Sequence, residues 1–355
     1  MNKPIFPEDL TTLIGLISNY SPSGSERAAV EFMVDRGKNL GYAISSIDHA
    51  GNAVCVMGKG PKQVILLGHI DTVPGEIPIR LEEGQLYGRG SVDAKGPLAC
   101  FLDAVASVGP IEGWQFIVIG AVEEERNSEG ARFISNEYSP AFAIIGEPNH
   151  WDRIGLGYKG SLTAKITVAR TLTHSAHDRQ SAAEIAIDYW NLISNYARNF
   201  NAGRQKMFEQ LLPSAREMST SDDGFNQLAS ITINTRLPLE LLPSAWYEKL
   251  TELCPEAEIE PLGFAIPAYA CEKNSTLVRA FLVGIRIMGG NPGFVYKSGT
   301  ADLNIVAPHW NCPALVYGPG DSALDHTPNE RISVQEYRQA VTVLTESLKE
   351  LVKQN

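Results

Sequence analysis

"VILLGHIDTVPG", residues 64–75, decides the fold. Four apolar residues in a row, Val64 to Leu67, read as a strand buried on both faces, the kind found inside a parallel sheet. Thr72 to Gly75 then supply turn chemistry, because proline cannot continue a central strand. His69 and Asp71 therefore fall just past the carboxyl end of a core strand. That is where open α/β sheets keep their ligands.

The arrangement recurs along the chain. "QFIVIGAV" (115–122) runs into Glu123, Glu124 and Glu125, and "AFAIIG" (141–146) runs into Glu147. "CPALVYG" (312–318) is followed a few residues later by His326, and "YGRGSVDAKGPLA" (87–99) puts Asp93 in a glycine-rich turn at the start of a helix. Each residue alone has a bland explanation: a structural histidine, a solvated acidic turn, a helix cap. Their joint recurrence at equivalent strand ends does not. Carboxylates gathered in one cleft repel one another unless a cation is present. Two imidazoles with carboxylates and no thiolates suit zinc, or cobalt or manganese.

The remaining texture places these segments in an α/β frame. "PEDLTTLIGLISNY" (7–20) and "SERAAVEFMVDRGKNLG" (25–41) read as amphipathic helices, the second capped by serine and closed near Gly41. From Tyr158 the pattern changes. "SLTAKITVART" and "LASITINTRLP" alternate as half-exposed strands do, and "SAAEIAIDYWNLISNYARNF" and "SAWYEKLTELC" have helical periodicity. These imply a small α+β insert over 158–268, flanked by two parts of an α/β domain, 1–157 and 269–355. The α/β texture returns with the helix "STLVRAFLVGIRIMG", the strand "PALVYGPG" and a final helix from Ser333.

Composition narrows the function. A net charge of −11 over 355 residues argues against nucleic acid as a partner. No window is long and apolar enough to span a membrane, and the start "MNKPIFPEDL" lacks the features of a secretory signal, so a cytoplasmic location is expected. Five scattered cysteines fit reduced thiols and neither a disulfide frame nor a thiolate metal site.

Taken in order, His69-Ile-Asp71, Gly88-Arg-Gly-Ser-Val-Asp93-Ala-Lys-Gly, the Glu123-Glu124 pair, Gly146-Glu147-Pro and His326-Thr-Pro-Asn-Glu330 resemble the co-catalytic zinc amidohydrolases. That superfamily includes acetylornithine deacetylase, succinyl-diaminopimelate desuccinylase and carboxypeptidase G. The resemblance covers essentially the whole chain. It implies a mixed, largely parallel sheet flanked by helices, with the insert serving for dimerisation and as a lid.

It also implies two divalent ions, zinc or alternatively cobalt, bridged by Asp93 at about 3.5–4 Å separation. One ion would take His69 and Glu147, the other Glu124 and His326. Asp71 would hold the ring of His69, and Glu123 would take a proton from the attacking water and pass it to the leaving amine. Because the run holds three glutamates, Glu124 and Glu125 form a competing pair for the base and ligand roles. "THSAHD" resembles the segment whose histidine, here His174, reaches a partner subunit's site, although Thr173 and Asp178 depart from the usual glycine and proline. Arg236 would pair with a substrate carboxylate or with a neighbouring acid, and "YKSGTADLN" (296–304) resembles a substrate loop in which Lys297, Gly299 and Thr300 grip a carboxylate.

Within the superfamily, the triple glutamate, "KSGTADLN" and "YGPGDSALDHTPNE" are most similar to the lysine-biosynthesis branch, some members of which serve arginine biosynthesis. Those enzymes release lysine or ornithine from an acidic amino-group carrier protein. The expected activity is hydrolysis of that amide by a homodimer. Residues 198–206, with Arg198, Arg204 and Lys206, are a candidate docking patch. The alternatives are a deacetylase of N-acetyl amino acids, a dipeptidase, or a metal-binding protein without activity.

Overall fold

The computed structural model describes residues 7–172 and 180–354. The chain divides into two compact units: residues 1–157, 271–296 and 301–355 form the larger, and residues 158–270 with 297–300 the smaller.

The larger unit is built on a mixed sheet. Strand Lys62–His69 lies parallel to Trp114–Ala121 on one side and to Phe142–Gly146 on the other, and Phe142–Gly146 lies parallel to Ala314–Tyr317. Antiparallel strands extend both flanks: Ala53–Gly58 beside Trp114–Ala121, then Ile44–Ile47, and on the far side Arg153–Tyr158. Val64, Ile65, Leu66 and Leu67 are fully buried. Each such side chain contributes about 1.5–3 kcal/mol relative to exposure, so this strand cannot slip by a residue. All four parallel strands point their carboxyl ends the same way. His69, the turn after Ala121, Glu147 and the segment after Tyr317 thus share one edge.

The helix Lys95–Val108 packs unusually close to that edge, and the reason is a row of glycines. Gly68 pairs in register with Gly120 on one side and Gly146 on the other. A Cβ at Gly146 would lie 2.9 Å from the Phe101 ring and 3.2 Å from the Gly68 Cα, and one at Gly68 would lie 3.3 Å from the Leu98 Cβ. Bare backbone on three adjacent strands lets Leu98 and Phe101 sit down on the sheet. Asp93, two residues before the helix, is carried to the strand ends with it.

The smaller unit is a four-stranded antiparallel sheet, ordered Leu212–Asp222, Asn226–Leu237, Gly160–Thr171, Glu258–Ile266. Helices Ala182–Phe200 and Pro243–Leu253 contribute to its core around Ile166, Ile193, Ile231 and Trp246. Helix Ala182–Phe200 starts with a full capping box, Ser181 and Glu184 each bonding the other's backbone. Strand Leu212–Asp222 carries no apolar alternation because it is an exposed edge, so pattern reading passes over it.

Helix Arg27–Asn39 is not capped by serine as expected. Its N-cap is Glu26, whose carboxylate instead accepts the Gly24 N–H at 2.8 Å. The five cysteines are all free, four of them buried. Among the described residues no helix is long and apolar enough to cross a membrane.

Candidate active site

His69 ends its strand almost fully buried, between two aspartates. Its Nδ1 lies 3.0 Å from the Asp71 carbonyl oxygen and 3.4 Å from the Asp71 carboxylate, and its Nε2 lies 3.2 Å from Asp93 Oδ1. The other oxygen of Asp93 lies 3.0 Å from His326 Nε2, which is also 3.0 Å from Glu125 Oε1. Two imidazoles from distant parts of the chain thus meet on the two oxygens of one buried carboxylate.

The glutamate run departs from the extended geometry that the sequence suggests. The strand ends at Ala121, and Glu123 adopts a left-handed φ of 58°. Its carbonyl accepts N–H bonds from Arg126, Asn127 and Ser128, closing a turn. Asp71 fixes the outcome: its Oδ1 accepts the Glu124 N–H at 3.1 Å, its Oδ2 the Glu125 N–H at 3.0 Å and the Ser23 hydroxyl at 2.7 Å. Strand alternation therefore does not govern the run. Glu125, rather than Glu124, is the glutamate placed against His326. Ligand atoms of His69, Asp93 and Glu125 all lie within 4.8 Å of one another. No hydrogen bond or ion pair joins the Glu123 carboxylate to His69, Asp93 or His326 among the described residues.

The electrostatics are those of a cation site. Burial would lower the pKa of His69, but the hydrogen bonds to Asp71 and Asp93 outweigh it and hold the ring well above its ordinary value. Hydrogen bonding to the Asp93 and Glu125 carboxylates, which accept from the ring, pushes His326 to about 10. Burial, with added repulsion among them, raises Glu124 and Glu147 well above the usual carboxylate range. Asp302, at the start of helix Asp302–Trp310, is pushed by burial to about 7. Acids driven up by burial and by one another, with imidazoles driven up beside them, mark a donor set that fits divalent ions. Asp93 with His69 and Glu147, and Asp93 with Glu125 and His326, are the groups that would hold them.

Three further residues shape the cluster. Glu330 and Arg89 form a buried ion pair at 2.8 Å, and the amine of Lys95, buried and lowered to about 7 by that burial, donates to the Asn19 carbonyl at 2.8 Å. Glu330 and Lys95 lie within the quoted segments, but nothing in their spacing tells a supporting role from a surface one.

In the smaller unit, Arg236 Nη1 donates to Thr300 Oγ1 at 3.1 Å. Arg236 also lines a cavity of about 530 Å³ with Arg216, Asn234, Thr163 and Thr232. The Lys297 carbonyl accepts the Lys159 N–H at 3.3 Å, and a Cβ on Gly299 would meet nothing within 4 Å. His174 lies outside the described residues. The basic stretch is largely spent on neighbours: Arg204 pairs with Glu240 at 3.2 Å and lies 4.1 Å from the Phe200 ring, and Lys206 pairs with Glu209 at 3.4 Å.

A largely parallel sheet that gathers two imidazoles and a ring of carboxylates at its strand ends is the frame of a metal-dependent hydrolase. Residues 65–350 match the family described as peptidase family M20/M25/M40, and the chain belongs to it. It is 43% identical over 349 residues to the LysW-lysine hydrolase of Deinococcus radiodurans, covering 95% of each chain. It is 40% identical to a putative LysW-lysine/LysW-ornithine hydrolase of Thermococcus kodakarensis, covering 97% of this chain and 92% of the other. Among solved structures, an M20 family metallo-carboxypeptidase from Sulfolobus solfataricus superposes with a TM-score of 0.78 at 18% identity, covering 98% of this chain and 99% of that one. A dinuclear metal binding M20 peptidase from Bacillus subtilis gives 0.70 at 12% identity, covering 97% of both chains.

Proposed function

We propose that this protein is a metal-dependent amide hydrolase that releases lysine, and ornithine as a second product, from the amino-group carrier protein LysW. The observation that carries the chemistry is the meeting of His69 and His326 on the two oxygens of Asp93. The substrate rests on whole-chain relatives at 40–43% identity that are named for that carrier.

Asp93, His69 and Glu147 would hold one ion, and Asp93, Glu125 and His326 the other. Zinc is the proposed metal, with cobalt as the alternative. When bound, the ions supply Lewis acidity that polarises the amide carbonyl and makes water a better nucleophile. The geometry favours Glu124 over Glu123 as the proton carrier, because Glu125 occupies the place beside His326. A glutamate whose pKa is raised by burial is suited to take a proton from water and return it to the departing amine. Asp71 holds the two N–H groups that aim Glu124 and Glu125. Arg236 and Thr300, with the loop through Lys297 and Gly299, bind the carboxylate of the amino acid being released.

The protein acts in the cytoplasm as a homodimer, with His174 reaching the partner's site. Exposed Ile187 and Leu192 on helix Ala182–Phe200 and the open edge of strand Leu212–Asp222 support that pairing. The decisive assay compares carrier-linked lysine with N-acetyl-lysine, each with and without a chelator. The proposal expects faster, chelator-sensitive release from the carrier. Equal efficiency on both substrates would make the protein a free-amino-acid deacetylase.

A further inference from the structure

We propose that Glu330, clamped by Arg89, is a positioning residue that sets the His326 half of the metal centre against Asp93. The inference rests on the two-ion reading above.

Glu330 is fully buried, and both of its oxygens are committed. Oε1 accepts the N–H groups of Val92 at 2.9 Å and Asp93 at 3.1 Å, while Oε2 accepts Arg89 Nη1 at 2.8 Å. Arg89 Nε in turn donates to the Gly75 carbonyl at 2.8 Å. One carboxylate therefore ties together the loop after His69, the loop carrying Asp93 and the segment carrying His326.

The two halves of the centre depend on this clamp unequally. His69 sits at the end of a core strand and is held by its neighbours whatever happens at Glu330. His326 is more than half exposed and has a left-handed φ of 60°. Its segment regains regular structure only at strand Arg331–Ser333, which pairs with Gln85–Tyr87, and Glu330 is the residue immediately before that strand. Three residues lie between His326 and this anchor. Its own short turn is closed by the Thr327 N–H and hydroxyl, which donate to the Leu324 carbonyl at 3.2 and 2.8 Å, bonds within the turn that do not reach Asp93. A buried carboxylate that grips the Asp93 backbone sets that distance.

Glu330→Gln keeps the shape and one acceptor oxygen, but turns an amide donor toward the Arg89 donors. The test is a cobalt(II) titration of metal-stripped protein, followed by calorimetry and visible absorption. Wild type should take up two ions. Glu330→Gln should bind one ion within about threefold of wild type and the second about 10–100-fold more weakly, the usual loss when the support of a ligand is removed. The absorption change of the second step should alter alone. Arg89→Met with Glu330→Gln should cost no more than the single change, since the two act as one unit.

Equal weakening of both ions, or wild-type affinity for both in folded Glu330→Gln, would overturn the proposal. If Glu330→Gln does not fold, Arg89→Lys keeps the charge and drops the fork. It should show the same selective loss in milder form, and an unchanged second step would refute the clamp. A wild-type protein that takes up a single ion overturns the two-ion reading, and this proposal with it.

Discussion

Replacing Asp71 by asparagine changes one atom and tests how the glutamate turn is held. Asp71 is fully buried, and every group around its carboxylate is a donor: the Glu124 and Glu125 N–H groups, the Ser23 hydroxyl and, at 3.4 Å, His69 Nδ1. Whichever way the asparagine amide turns, its NH₂ faces a backbone N–H. One buried N–H left without an acceptor costs about 1–3 kcal/mol, and the remaining bonds weaken by about 1 kcal/mol each on losing the charge. The total is about 3–5 kcal/mol against the native turn. A short surface turn can open locally at less cost than the whole unit, so the loss should appear as displacement of Glu125 and not as global unfolding.

His69 keeps its 3.0 Å contact to the Asp71 carbonyl, which the substitution leaves intact. Metal affinity should therefore fall about 10–100-fold at the Glu125 side first, with turnover falling alongside. Stepwise zinc titration by calorimetry and hydrolysis kinetics measure both. The substitution should also remove a pH dependence. Hydrogen bonds from His69 and Ser23 outweigh burial and lower the Asp71 pKa in the folded protein. That stabilisation is present above the unfolded value of about 3.9 and is lost as pH falls through the folded one. Wild-type metal affinity and turnover in Asp71→Asn would refute the argument.

The register of the glutamates separates in two variants. Glu124→Gln should keep both metals and lose about two to four orders of magnitude in turnover, whereas Glu125→Gln should lose metal; metal loss in Glu124→Gln with a wild-type-like Glu125→Gln restores Glu123 as the base, and a wild-type-like Glu124→Gln refutes its role as proton carrier. Gly146→Ala puts a methyl 2.9 Å from Phe101 and should destabilise the larger unit by about 1–3 kcal/mol, measurable by denaturant titration; an unchanged midpoint would show that the helix is not held down by the glycine row. Trp246→Ala empties the core of the smaller unit and should cost that unit about 3–5 kcal/mol, seen as early loss of hydrogen-exchange protection there and little change in the strands of the larger unit. Chelation should abolish hydrolysis and zinc should restore it; activity surviving exhaustive metal removal contradicts the proposed mechanism.

The sequence alone determined which residues reach the sheet edge. Apolar runs fix strands, a strand must end where proline and glycine begin, and His69, Glu147 and His326 follow from where those runs stop, while Asp93 follows from the glycine-rich turn that opens a helix. The alternating strands and helices of the smaller unit were legible for the same reason, apart from edge strand Leu212–Asp222, whose exposed backbone imposes no pattern.

Tertiary structure decided the rest. Three glycines far apart in the chain become a single row only when their strands pair, and that row determines how closely Asp93 approaches. The glutamates could not be assigned by alternation, because the strand ends at Ala121 and a carboxylate 53 residues away, Asp71, dictates the turn. Arg89 and Glu330 are 241 positions apart and meet only in the folded core. Local sequence fixes what a segment can form. Which groups face each other across the site depends on long-range hydrogen bonds to buried charges, and these exist only once the core has closed.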